Sequence, residues 1–247
     1  MKKTNKLVAL GLMSGTSADG LDIALIKTDG KNKIMLGPSN YYPFTKEFMK
    51  KIKRLFTKKI NKNSMKKKFF VNIEKEFTKL NINLINQFLK KNKIKKKDID
   101  VIGFHGQTIC HNPRQGYSVQ IGDAQTLANS LKIKVISNFR LNDIKNSGQG
   151  APLTPIFHYY LTSKFRKKIC FINLGGITNI TYCDHTNRYG IKKLLAFDVG
   201  PCCSLLDDWV SLRSQNKFDK FGNFAEKGNV NKNVLDLYLK NNFFLKK

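Results

Sequence analysis

Two short segments of this 247-residue chain have the composition needed to hold a polyphosphate. One is the Ser/Gly/Thr/Asp-rich stretch between the apolar runs 6–12 and 22–28. The other is the turn Leu174-Gly175-Gly176, between the apolar runs Ile169–Asn173 and Ile177–Tyr182. Each reads as the tip of a β-hairpin, and an ordinary turn is the competing reading. Small residues let a backbone approach phosphate oxygens, while amides and hydroxyls donate to them. Two such tips facing each other would line a cleft for a polyphosphate without a Walker motif. The sequence contains no GxxxxGK[ST], GxGxxG or HExxH.

Periodicity supplies the elements that must position these tips. A strand is expected over Ile34–Tyr42. Phe44, Phe48, Ile52, Leu55, Phe56 and Ile60 then recur at helical spacing, with lysine opposite. Phe69, Ile73, Phe77, Leu80, Leu84 and Phe88 repeat the pattern in a second helix, and both stripes read as core. The lysine-rich Lys90–Lys97 is a surface turn. Strand Ile99–Phe104 leads into His105-Gly106-Gln107-Thr108, followed by a strand near Ser118–Ile121, a helix over Asp123–Leu131 and a strand over Lys134–Ser137. The Gly-, Asn- and Pro-rich stretch Arg140–Pro155 reads as a loop crossing into a second unit. That unit has a helix at Ile156–Thr162, the hairpin just described, a strand at Leu194–Phe197 and helices at Ser204–Leu212 and Val230–Leu239. The expected class is α/β, in two lobes of residues 1–138 and 139–247.

Composition narrows the functions. Hydrophobic residues at 41% and aromatics at 11% suffice for a core and argue against global disorder. The net charge of +28 would attract polyanions over long range. It is carried by lysine accompanied by abundant Asn and Ile, as an AT-rich coding sequence would produce. Only six of the 45 basic residues are Arg, the side chain that reads phosphates and bases in bidentate fashion. No nucleic-acid-binding motif is present, so a specific nucleic-acid partner is not expected. Five cysteines without CxxC or zinc-ligand spacing fit a reducing cytoplasm rather than a disulfide framework. No apolar run approaches the roughly 20 residues of a membrane span, and the basic-then-apolar start reads as a first strand rather than a signal peptide.

GLMSGTSADGLDIAL (11–25) resembles the signature of the anhydro-N-acetylmuramic acid kinases, relatives of actin, hexokinase and the sugar kinases. GFHGQT (103–108), VQIGDAQTLA (119–128), FRLNDI (139–144), GQGAPLTPIFH (148–158), NLGGITNIT (173–181), FDVGP (197–201) and the weaker FGNFAEKGNV (221–230) follow in family order. The resemblance implies a two-lobed actin/hexokinase-like (ribonuclease H-like) fold and an ATP- and Mg2+-dependent kinase. Its substrate would be 1,6-anhydro-N-acetylmuramic acid, opened by water while O6 receives the γ-phosphoryl group. A cytoplasmic role in peptidoglycan recycling follows, and homodimers occur in such a family.

Carried onto this chain, the resemblance makes Ser14 and Gly15, Thr16, Ser17, Ala18, Asp19, Gly20, Leu21 and Asp22 the first phosphate loop. Gly175, Gly176, Thr178 and Asn179 form the second. Asp19 and Asp22 either position Mg2+ through water or cap the turn. Asp198, at the end of an apolar strand, resembles the general base that takes a proton from the attacking water; a turn or helix-capping role is its alternative. His105 and Arg140 are assigned to the sugar, Arg140 through the lactyl carboxylate, with Asp143 and Gln149 in support.

Three departures stand out. Val199-Gly200-Pro201-Cys202-Cys203 replaces the family's Thr-Gly-Pro-Gly-Asn. Asn138 replaces an Asp and Ser147 a Gly. After NNFFLKK the family continues into a region that supplies the adenosine turn and a sugar-binding Glu, so the second lobe is expected to be incomplete and this form weakly active or inactive. Two other readings remain open, a decayed remnant and a basic polyanion-binding protein.

Overall fold

The computed structural model describes residues 6–15, 17–31, 33–56, 60, 67–186 and 194–241. By packing, the chain divides into two compact units, Met1–Ile169 with Cys183–Leu194, and Cys170–Tyr182 with Leu195–Lys247.

The first unit is built on a mixed sheet. β1 (Leu7–Ser14), β2 (Gly20–Thr28) and β3 (Ile34–Pro43) form an antiparallel meander. β4 (Val101–Asn112) lies parallel to β1 on its other side. Its first half pairs with the parallel β6 (Lys134–Ile136) and its second half with the antiparallel β5 (Tyr117–Ile121). α1 (Lys46–Phe56), α2 (Lys68–Lys91) and α3 (Ala124–Leu131) supply the helical cover. Their aromatic residues connect helix to sheet. Phe44 meets Phe48 edge-on at 5.3 Å, Phe48 stacks on Phe77, and Phe77 stacks on Phe104 of β4 at 6.4 Å.

Three expectations are corrected here. The buried face of α2 is Phe70, Ile73, Phe77, Thr78, Asn81, Ile85, Phe88 and Leu89, whereas Phe69 is exposed and Leu80 and Leu84 are only partly buried. Asn81 takes a core position because its Nδ2 donates to the Phe77 carbonyl one turn back, at 2.8 Å. β4 runs on through His105–Thr108 rather than stopping at Phe104. Gly106 makes this continuation possible: its φ is +72°, and a Cβ there would lie 2.6 Å from the Ile121 carbonyl oxygen. The stretch read as a loop from Arg140 contains a short helix, α4 (Phe139–Lys145), before α5 (Thr154–Thr162).

The second unit carries a three-stranded sheet in the order β7 (Lys168–Leu174), β8 (Ile177–Asp184), β9 (Leu194–Pro201). α6 (Cys203–Arg213) and α7 (Lys232–Leu239) follow. β9 runs past Phe197, so Asp198 lies inside the strand rather than at its end. The tail expected at Leu245-Lys246-Lys247 lies outside the described residues.

Candidate functional site

The first loop leaves the C-terminal end of β1, beside the point in β4 where Gln107 pairs with Ser14. In a sheet with parallel strands, this end is where connecting loops gather to bind ligands. The loop is held from several sides. The Ala18 amide donates to the Gly15 carbonyl at 3.0 Å, with Ala18 buried at a φ of +52°. The Phe44 amide donates to the Asp19 carbonyl at 2.8 Å. Ser14 Oγ lies 2.6 Å from Gln107 Oε1 and 2.8 Å from the Gly20 carbonyl oxygen, so its one proton is shared between two acceptors. Gln107 Nε2 donates to the Gly15 carbonyl at 2.9 Å. A Cβ at Gly20 would lie 2.4–2.5 Å from the Tyr41 phenol atoms, so a larger residue there would displace that ring.

The loop's side chains differ in what they can offer. Ala18 and Leu21 are buried, so only their backbone is available to a ligand, and Ser14 is occupied in positioning the loop. Thr16 lies outside the described residues. Ser17, Asp19 and Asp22 are exposed, and Ser17 Oγ donates to Asp19 Oδ1. Burial pushes the Asp19 carboxyl up, but hydrogen bonds from Ser17, its own backbone amide and the Tyr41 hydroxyl, with the Lys53 charge, outweigh burial and hold it below the usual range. Asp22 has no such compensation. Burial, and then the charge of Asp19, push its carboxyl up.

His105 and Arg140 form a pair. Arg140 Nε donates to His105 Nε2 at 3.0 Å, and Arg140 Nη1 donates to the Gly150 carbonyl at 2.9 Å. His105 Nε2 therefore accepts, and Nδ1 carries the proton that it donates to the Gly106 carbonyl at 2.8 Å. Burial, and then the Arg140 charge, hold the imidazole below its ordinary pKa, although the bond to Gly106 works the other way. The ring is a neutral acceptor that orients the guanidinium. His105 also lines a cavity of about 460 Å³ together with Glu74, Gln120, Asp123 and Asn138, whereas Arg140 is not on that lining. Asp143 ties down the segment after α4, its Oδ2 accepting from the Gly150 amide at 2.6 Å.

The second turn and Asp198 lie in the second unit. Gly175 and Gly176 form the two-residue link between β7 and β8, and Thr178 and Asn179 sit part-buried just after it in β8. The turn's carbonyls are committed to the start of α6. The Cys202 amide donates to Gly176 O and the Cys203 amide to Gly175 O, both at 3.0 Å, while Ser204 Oγ donates to Gly176 O at 2.8 Å. The Cys202 and Cys203 sulfurs are 3.6 Å apart. A hydrogen bond from Thr178, followed by one from Cys203, draws the Cys202 thiol below its usual pKa, and Cys203 is pushed up in return. Asp198 is exposed on β9, four residues before this pair.

Sequence reasoning did not single out Gln107 or Tyr41, which fix the first loop. Gln107 lies within the GFHGQT motif, but its partners are more than 90 positions away.

A sequence model of the anhydro-N-acetylmuramic acid kinase family matches residues 7–247. Curated relatives described as anhydro-N-acetylmuramic acid kinase include one from Rhizobium etli, 37% identical over 96% of this chain and 64% of its own length. Another, from Nitrobacter winogradskyi, is 36% identical over 96% of this chain and 65% of its own. A third, from Agrobacterium fabrum, is 38% identical over 96% of this chain and 64% of its own. The chain thus spans slightly less than two thirds of the length of these relatives.

Proposed function

The chain belongs to the anhydro-N-acetylmuramic acid kinase family and to its α/β, actin/hexokinase-like fold class, and from that premise we propose that it acts as an ATP-dependent kinase on 1,6-anhydro-N-acetylmuramic acid. Water opens the anhydro bond while O6 receives the γ-phosphoryl group, giving N-acetylmuramic acid 6-phosphate and ADP. The observation that carries this reading is the position of Asp198. It is an exposed carboxylate near the end of β9, ahead of α6, where a base can reach water.

The other roles are carried over from the family resemblance. Gly15, Ser17, Ala18, Asp19, Gly20, Leu21 and Asp22, with Thr16 between them in sequence, are assigned to the phosphates, through exposed side chains and the amides not already used, as that of Ala18 is, to hold the loop. Gly175, Gly176, Thr178 and Asn179 form the second phosphate loop. Arg140, held by His105 and Gly150, keeps Nη2 for the lactyl carboxylate of the sugar. The functional lobes in this reading are residues 1–138 and 139–247.

Among the described residues no cluster of three or more His, Cys, Asp or Glu could hold a metal ion. Mg2+ needs only one or two carboxylates when phosphates and water complete its shell. Asp19 and Asp22 fit this requirement, since a cation would relieve the repulsion that helps push Asp22 up. Held there, Mg2+ would neutralise charge on the phosphate oxygens. Among the described residues no helix is long and apolar enough to cross a membrane. We assign the protein to the cytoplasm, in recycling of wall sugars, as a homodimer.

The test is ADP release dependent on the anhydro sugar, alongside thermal melting with and without ATP. ATP is expected to raise the melting temperature. Asp198→Asn is expected to lower sugar-dependent turnover by about a hundredfold or more while leaving melting unchanged. A chain whose melting ignores ATP and the sugar alike, or an Asp198→Asn variant with full turnover, overturns the proposal.

A further inference from the structure

We propose that Cys202 and Cys203 form a dithiol modification site, which a low-molecular-weight disulfide oxidises to a bond between these two neighbours. The sulfurs are 3.6 Å apart, already in contact, and an S–S bond of about 2.05 Å requires only side-chain rotation and a local twist of the backbone. Both residues are partly exposed, so a small disulfide can reach them.

The surroundings give the two thiols different roles. Cys202 is the N-cap of α6, an 11-residue helix whose positive end favours a thiolate. Thr178 and the Cys203 thiol both hydrogen-bond the Cys202 sulfur, which favours its ionised form. Cys203 instead gives up its proton late, the polarity expected of an attacking thiol beside a resolving one. Among the other cysteines, Cys183 is buried, and Cys110 and Cys170 lie outside this cluster.

The chemistry balances without a metal or an enzyme. The Cys202 thiolate attacks one sulfur of the oxidant RSSR, forming a mixed disulfide and releasing one RS⁻. Cys203, once deprotonated, attacks the Cys202 sulfur and releases the second RS⁻. The protein loses two electrons and two protons, and RSSR becomes two RSH. Adjacent Cα atoms lie about 3.8 Å apart, closer than in ordinary disulfides, so excess thiol should reverse the bond readily. Closure removes the Cys202 sulfur from Thr178 and twists the peptide whose amide, that of Cys203, donates to the Gly175 carbonyl. An effect on phosphate binding would rest on the second-loop assignment above; the modification itself does not.

The test is mass spectrometry of the full chain treated with oxidised glutathione, with peptide mapping. The expected product is two hydrogens lighter, with the loss in the peptide holding Cys202 and Cys203 and reversed by dithiothreitol. Cys203→Ser should trap glutathione on Cys202. Cys202→Ser should slow capture at position 203 by about tenfold or more. An unchanged mass overturns the proposal, as does mapping of the lost hydrogens to a pair that includes Cys110, Cys170 or Cys183. Equal rates of glutathione capture by the two single variants overturn it as well.

Discussion

The first unit buries its apolar stripes and the second displays them. Leu10, Ile23, Ile52, Phe77, Ile85, Phe88 and Ile121 are completely inaccessible to solvent. Among the described residues of the second unit, Val210, 3% exposed, is the one buried apolar side chain, while Leu174, Leu206, Leu212 and Phe221 are 60% exposed or more. In the second unit β7, β8, β9 and α6 nonetheless form. Apolar spacing therefore determines which faces an element has, and packing against another layer decides whether a face is buried. Trp209 illustrates the difference, with 53% of its surface exposed and the Arg213 guanidinium 4.7 Å from its ring centroid.

This contrast predicts unequal costs for truncating side chains. Phe77→Ala removes a ring packed against Phe44, Phe48 and Phe104 and should lower stability by about 3–5 kcal/mol, read from urea unfolding by far-UV circular dichroism. Asp123→Ala comes next. Its carboxylate caps α3 by accepting from the Gln125 and Thr126 amides, a contribution of about 1 kcal/mol at neutral pH. The hydrogen bond from the Thr126 hydroxyl, ahead of burial and the amide bonds, leaves its pKa below the ordinary carboxylate value. A depressed folded-state pKa stabilises in full above the unfolded value, and the contribution is lost as pH falls through the folded value. The variant and the parent should therefore converge in stability in acid. Smallest is Leu212→Ala, on a residue 79% exposed, which should stay within about 0.5 kcal/mol in the same unfolding experiment. A Leu212→Ala cost approaching that of Phe77→Ala would erase the distinction between the units.

The meander and the first two helices were legible because their apolar residues repeat at the period of the element they build. The face of α2 was read correctly at Ile73, Phe77 and Phe88 and missed between and beside them, since Asn81 donates Nδ2 to its own helix and occupies a place that a polarity pattern assigns to solvent. α4 was hidden because seven residues are too short for a periodic signal and glycine, asparagine and proline surround them. The length of β4 depended on one glycine with positive φ, which a sequence cannot distinguish from a turn glycine. At the candidate site, the motif residues assigned to the two loops stand in order along the sequence. What braces the first of them could not, because Ser14, Gly15 and Gln107 meet only when β1 and β4 lie side by side.

That brace has a chemical polarity. The Gln107 amide gives a proton to one loop carbonyl through nitrogen and accepts the serine hydroxyl through oxygen, so both ends of a single planar group are in use. Glutamate has almost the same outline but no proton to give when ionised, and it would set oxygen lone pairs against those of Gly15. A change of one atom, with shape preserved, is enough to unlatch the strand end where the nucleotide is proposed to sit.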